Sequence, residues 1–268
     1  MPRGMVACKP CDRSAKAMNT TPSPVPPKHC ADCVLRRQPG FTSVTPEQLA
    51  CIESFRADIK RVRAGQAVVP EHRASARLFT LYSGWAFRHK SLADGRRQIL
   101  NFLLPGDLIG LQAEFIDEAT HGVEALTDVQ LCVFPQDRLW ALFQQQPQLG
   151  YDLTWLCASE EQLVDENLVT VGRRSAAERI AMLLIHLWRR AERVGLTGDD
   201  GGIDFPLTQQ HIADALGLSL VHTNKTLRKL ERLGLHEIRA GRLRLIEPQA
   251  LERLADYYTR PLRRVPLL

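Results

Sequence analysis

The chain has 268 residues, 44% of them apolar and 24% charged, which is the composition of folded domains and not of a disordered chain. No apolar run approaches the ~18 residues of a membrane helix, and residues 1–30 lack the apolar stretch of a secretory signal, so a cytoplasmic protein is expected. The net charge of +5 sits at one end: residues 208–268 hold eleven Lys and Arg against six acids, and the remainder balances, a pattern that fits a polyanion docking at that end.

Residues 1–28 read as a flexible tail, because the stretch Asn19–Pro27 (NTTPSPVPP) cannot bury a core. Met18 is an alternative start, which would leave Cys8 and Cys11 outside the natural protein. Thr45 caps a short helix that begins at Pro46. Short β-type runs follow at Arg77–Leu81, Trp85–Lys90, Gln98–Leu103, Val123–Ala125 and Val129–Phe134, with Asp94-Gly95 as a hairpin turn. Near-regular strands of this kind imply a β-sandwich or barrel. From Pro147 the pattern turns helical. Leu149, Leu153, Leu156, Glu160, Leu163, Asn167 and Thr170 alternate in steps of four and three, the seam of a two-stranded coiled coil with Asn167 fixing register. A helix packed on its own domain is the alternative. A second helix, about Arg174–Arg193, starts at the potential cap Ser175, and Gly195–Gly202 reads as a linker.

Thr208 caps a short helix bearing Ile212, Ala213 and Leu216, Gly217 makes a tight turn, and Ser219 caps a second helix rich in Lys and Arg. That is a helix-turn-helix. His236–Arg239 and Arg242–Ile246, separated by Ala240-Gly241, form a hairpin wing. Ser219, His222, Thr223, Asn224 and Lys225 are placed to reach base edges or phosphates. Lys225 suits guanine and Asn224 adenine. Arg228, Lys229 and the wing residues Arg239, Arg242 and Arg244 suit phosphates, which set affinity and salt sensitivity.

The strings LYSGWAFRHKSLADGRRQILNFLLPGDLIG (81–110), VGRRSAAERIAMLLIHL (171–187) and QQHIADALGLSLVHTNKTLRKL (209–230) resemble the Crp/Fnr family of bacterial transcription regulators over residues 30–250. The resemblance implies an α+β fold: a double-stranded β-roll of the cyclic-nucleotide-binding type (29–147), a long dimerisation helix (148–172) and a C-terminal winged helix-turn-helix (173–268). It implies a homodimer on double-stranded DNA at an inverted-repeat promoter site, contacting RNA polymerase. Leu149, Leu153, Leu156, Leu163 and Asn167 would form the dimer interface. Two departures stand out. The stretch 110–126, where cyclic-nucleotide-binding members carry an Arg-Ser pair, contains neither residue, so a cyclic nucleotide is not the expected effector. Val221 stands where the family has a base-reading Glu, and Lys225 where it has Arg, so a different operator is expected.

Seven cysteines in a reducing compartment do not make a disulfide framework. Oxygen-sensing members of the resembling family ligate an iron–sulfur cluster with a Cys-x2-Cys-x5-Cys run and a distant cysteine. Cys30 and Cys33 match the first two positions and Cys132 the distant one, and the third falls on Pro39, so Cys51, His29 or a tail residue would have to substitute. Zinc bound by Cys8, Cys11, Cys30 and Cys33 is a second reading, giving a zinc-stabilised regulator, and a metal-free thiol switch is a third. Cys51, Cys132 and Cys157 also read as buried small hydrophobes. A cupin-like enzyme would need clustered ligands on facing strands, and His72, His89 and His121 lack that spacing, so no enzymatic activity is expected.

Overall fold

The computed structural model describes residues 26–112, 118–258 and 263–268. Cys8, Cys11, Met18 and most of the expected tail lie outside these residues. Two antiparallel sheets pack face to face. One has the order β1-β8-β3-β6 and the other β2-β7-β4-β5. Their strands are β1 (Asp58–Val62), β2 (Ala67–Val69), β3 (Arg77–Ser83), β4 (Ala86–Ser91), β5 (Arg97–Leu103), β6 (Leu108–Ile109), β7 (Gly122–Ala125) and β8 (Val129–Pro135). Phe79, Leu81, Leu131 and Val133 of the first sheet meet Val69, Ala86, Leu103 and Val123 of the second in the inner core. β3 is covered on both faces, so its outward residues Leu78, Thr80 and Tyr82 are buried too. The five expected strands are all present. β1 was not foreseen because its DIKRV sequence carries charge at an edge position.

Helix α1 (Pro46–Phe55) begins with a capping box in which Thr45 and Gln48 satisfy each other's backbone N–H. Its Ile52 and Phe55 pack with Leu78 and Phe134 on the outer face of the first sheet. After α2 (Leu139–Gln145), the long helix α3 runs from Pro147 to Arg173. Here the expected seam is corrected. Leu149 and Leu153 are buried in their own β-domain, with Leu156 packed beside them. The Asn167 amide donates to the Leu100 carbonyl oxygen of β5 at 2.8 Å, and Arg88 of β4 pairs with Glu160 at 2.6 Å. Leu163 lies half-buried on the same side. Period-3.5 spacing marks an apolar stripe, and the sheet beside the helix has taken it. The stripe one residue further round (Thr154, Cys157, Glu161, Val164 and Leu168) is the exposed one, with Leu168 at 72%. Cys157 is therefore exposed and not the buried hydrophobe expected.

Helix α4 (Ala176–Arg193) opens on a Ser175–Glu178 capping box and buries Ile180, Leu184 and Leu187. Then come β9 (Ile203–Asp204), α5 (Gln209–Leu216), α6 (Leu220–Arg232), β10 (His236–Arg239), β11 (Arg242–Leu245) and α7 (Pro248–Ala255). The short α7, not foreseen, packs on α4 and is tied there by Arg189 to Glu252 at 2.7 Å. This C-terminal unit docks on β4 and β5 through Arg97–Asp214 and through Phe87 against the His211 ring. Arg190 joins it to Asp107. Residues 263–268 return to the N-terminal side, where Val265 pairs in parallel with Phe41. No described helix is long and apolar enough to cross a membrane.

Candidate nucleic-acid interface and cysteine cavity

The helix-turn-helix frame is built by local chemistry. Thr208 Oγ1 accepts from the His211 N–H, and Ser219 Oγ accepts from the His222 N–H, so both helix starts are capped. Gly217 closes α5 at φ +61°, a left-handed conformation that favours glycine. Ile212, Leu216, Leu227 and Leu230 fill the space between the helices.

This frame leaves one side of α6 open. Val221 is 78% exposed at its first turn, and His222, Lys225, Arg228 and Lys229 are exposed after it. Val221, Asn224, Lys225, Arg228, Glu231 and Arg232 line a groove along that side. Ser219 is exposed but engaged as the cap. Thr223 is a correction: it is fully buried, on the core face of α6, and cannot reach a base. Asn224 is half-buried.

The wing is less cationic than its sequence. Arg242 is held by Asp200 at 2.7 Å and Asp204 at 3.0 Å and braces the 195–202 loop, so in this structure its charge is engaged within the protein. Arg239 and Arg244 remain exposed and share Glu237, at 2.8 and 3.4 Å.

Cys30, Cys33 and Cys132 do converge. Cys132 of β8 faces outward between Thr80 of β3 and Ile59 of β1, away from the inner core. Cys30 opens and Cys33 caps a one-turn helix (Cys30–Asp32) laid over that face, and Glu53 of α1 accepts from the Cys30 N–H at 2.7 Å. The three thiols line a cavity of about 20 Å³ with Arg36, Arg56, Thr80 and Tyr82, and Leu267 and Leu268 close it. Burial pushes the Cys132 thiol up to about 11, against the opposing pull of Arg56, and pushes Cys30 up as well.

The described residues do not by themselves complete an iron–sulfur site, and a fourth ligand from the tail, Cys8 and Cys11 included, would lie outside them. Such clusters take four protein ligands, and three thiols are here. Cys51 lies elsewhere, against Gln145, and His29 bonds to Glu53 at 2.9 Å. The cavity has room for about one water. Among the described residues no group of three His, Cys, Asp or Glu side chains is arranged to hold a metal ion, and the zinc reading, which needs Cys8 and Cys11, lies partly outside them.

Comparison with known proteins agrees with the architecture. Residues 59–146 match the cyclic nucleotide-binding domain model, and residues 178–254 match the Crp-like helix-turn-helix domain model. The nitrogen fixation regulation protein FixK of Bradyrhizobium diazoefficiens is 30% identical over 226 residues, covering 84% of this chain and 93% of that protein. The transcriptional activator protein FnrL of Cereibacter sphaeroides is 30% identical over 207 residues, covering 76% and 82%. The structure of FixK2 from Bradyrhizobium japonicum superposes with a TM-score of 0.67 at 26% identity, covering 74% of this chain and 96% of that one. A capped helix-turn-helix behind a two-sheet domain, with relatives of this kind along most of the chain, makes this protein a DNA-binding transcription regulator and a member of the Crp/Fnr family, not an enzyme.

Proposed function

We propose that this regulator works as a cytoplasmic homodimer that binds an inverted-repeat promoter site, engages RNA polymerase there, and answers a redox-type signal. The sensor spans residues 29–147, the pairing helix 148–172 and the reader 173–268. The observation that carries the DNA-reading role is the open side of α6, where Val221, His222, Lys225 and Arg228 project from a frame whose own caps and core are satisfied. Lys225 and Asn224 read bases, and Arg228, Lys229, Arg239 and Arg244 hold phosphates. The exposed stripe from Thr154 to Leu168 supplies the pairing surface. A row at heptad spacing on a free helix face, apolar at Cys157, Val164 and Leu168, is what a second α3 covers.

The sensing role is supported by the convergence of three thiols where the N-terminal segment, the β-domain and residues 263–268 meet. The three thiols that line one cavity act as a metal-free thiol switch. Arg88, the buried cation of β4, is already paired with Glu160, which favours a signal other than a cyclic phosphate. Fluorescence anisotropy with an inverted-repeat duplex selected from random sequence tests the reading. Specific binding by a dimer, weakening steeply with salt, is expected. Binding by single chains, or equal affinity for all duplexes, overturns it.

A further inference from the structure

The cysteine cavity holds more than thiols. Thr80 is 3% exposed and its Oγ1 has no hydrogen-bond partner among the described residues, and the same is true of the buried Arg36 Nη1. Both residues line the cavity beside Cys132. Orphaned buried donors are costly unless something fills the space between them. The space admits one molecule of about water size, with a hydroxyl, a guanidinium and a sulfur around it.

We propose that this cavity is a hydroperoxide site in which Arg36 and Thr80 hold hydrogen peroxide against Cys132, and that Cys33 then closes a disulfide with Cys132. The inference rests on the redox reading above and names its oxidant and its thiols. In the first step the Cys132 sulfur attacks one peroxide oxygen. The S–O bond forms, the O–O bond breaks, and the departing hydroxide takes the thiol proton to leave as water. In the second step the Cys33 sulfur attacks the sulfenic sulfur. The S–S bond forms, the S–O bond breaks, and hydroxide leaves with the Cys33 proton as a second water. Two thiols give up two electrons and two protons, and one hydrogen peroxide becomes two waters.

Cys33 is chosen over Cys30 on two grounds. Both cysteines share an apolar cluster with Cys132, but Cys33 is half-buried beside Tyr82, Val194 and Leu267 where Cys30 is fully buried, and the Cys30 N–H is tied to Glu53 of α1. Cys30 is instead packed toward α1 with Ile52 and Phe55. Burial keeps the attacking Cys132 thiol protonated, so the site is slow and answers sustained oxidant. The cavity wall carries the signal outward. Leu267 and Val194 sit in the thiol cluster, Val194 follows directly on the end of α4, and Arg263 lies over the Trp155 ring of α3 at 5.4 Å. Two backbone bonds pin this strap, from Thr42 N–H to Val265 O at 2.9 Å and from Val265 N–H to Gly40 O at 2.8 Å. A bond drawing Cys33 onto β8 moves the loop on which the strap rests.

The test treats the reduced full chain with hydrogen peroxide, blocks the remaining thiols and maps peptides by mass spectrometry. The expected product is a Cys33–Cys132 link. Cys33→Ser is expected to stop at a sulfenic acid that dimedone traps on Cys132. Thr80→Val and Arg36→Met are expected to slow oxidation about tenfold, and Thr80→Ser to restore it. Cumene hydroperoxide, too bulky for the cavity, is expected to react at least tenfold more slowly than hydrogen peroxide. Amide exchange at Thr42 and Val265 is expected to rise on oxidation. A Cys30–Cys33 product, no disulfide, or an unchanged rate in Thr80→Val overturns the proposal. A Cys33–Cys132 bond that leaves DNA affinity unaltered supports the site and overturns the redox-regulator reading instead.

Discussion

Arg97 of β5 and Asp214 of α5 form an ion pair of 3.0 Å that joins the β-domain to the first helix of the helix-turn-helix. Gln98 Nε2 donates to the Ala215 carbonyl oxygen beside it at 2.9 Å, and the Arg97 guanidinium lies over the Phe87 ring. The reader is therefore braced by the sensor through adjacent residues of one strand. Arg97→Ala removes the charge partner of a largely buried Asp214 and is expected to cost about 1–3 kcal/mol at this contact. Calorimetry should show the unfolding transition broadening into two, and proteolysis within residues 195–202 should quicken. A single transition at the parent temperature would show that the brace contributes nothing.

The two stripes of α3 make opposite predictions. Leu153→Ala opens a cavity in the β-domain core and is expected to cost about 2–5 kcal/mol of stability while leaving the dimer intact. Leu168→Glu leaves the protomer's core untouched and places a charge on the exposed stripe. It is expected to give monomers in sedimentation at micromolar concentration, with far-ultraviolet dichroism unchanged. Cys157, on the same stripe, is expected to cross-link two chains when a copper oxidant is added. The reverse outcome, dissociation by Leu153→Ala alone, would return the seam to its sequence-derived position.

That pair also shows where sequence reading stops. The helix caps at Thr45, Ser175, Thr208 and Ser219 were legible because a cap is a local bond between residues three apart. Five strands of the β-domain and the reading helix were legible from period and charge, and the short or charged β1, β2 and β6 were not. The facing of α3 was not, because spacing reports that a stripe is apolar and carries no information about which neighbour covers it. Thr223 failed for a related reason. Its side chain suits a base edge, but its position lies on the same side of α6 as Thr226, Leu227 and Leu230. Arg242 looked free until the acids of the 195–202 loop were placed against it. The meeting of Cys30, Cys33 and Cys132 came only through family resemblance, since about a hundred residues separate the last from the pair. The return of residues 263–268 left no sequence signal.

Two half-buried histidines contribute to the acid side of the stability profile. Burial, helped by Arg88, Lys90 and His89 and opposed by Glu71, drives His121 down to about 4. Burial, helped by Arg190 and Arg193, drives His186 down to about 3, and its Nε2 has no partner among the described residues. In the unfolded chain both bind a proton near pH 6.5. Between that value and about 4 the unfolded state holds more protons than the folded one, so stability is full above pH 6.5 and declines as pH falls. Urea unfolding from pH 7.5 to 4.5 should show a steady fall in midpoint. His186→Asn, which removes one titrating ring, is expected to flatten that fall. A midpoint independent of pH over this range would contradict the buried neutral state.

The reading helix makes the last prediction, because Val221 separates base choice from affinity. An exposed Val at the first turn of α6 offers a methyl surface and no acceptor, so it favours a thymine methyl over the cytosine amino group. Val221→Glu supplies an acceptor and is expected to move the preferred base at one position of each half-site to cytosine, by about 1–3 kcal/mol. Arg228→Ala is expected to weaken all duplexes alike and to lower the salt dependence by about one phosphate contact per protomer. Selection from random duplexes with each variant, scored at two salt concentrations, distinguishes the two effects. If Arg228→Ala changed the selected sequence and Val221→Glu did not, the open side of α6 would be lying in the groove with the opposite edge toward the bases.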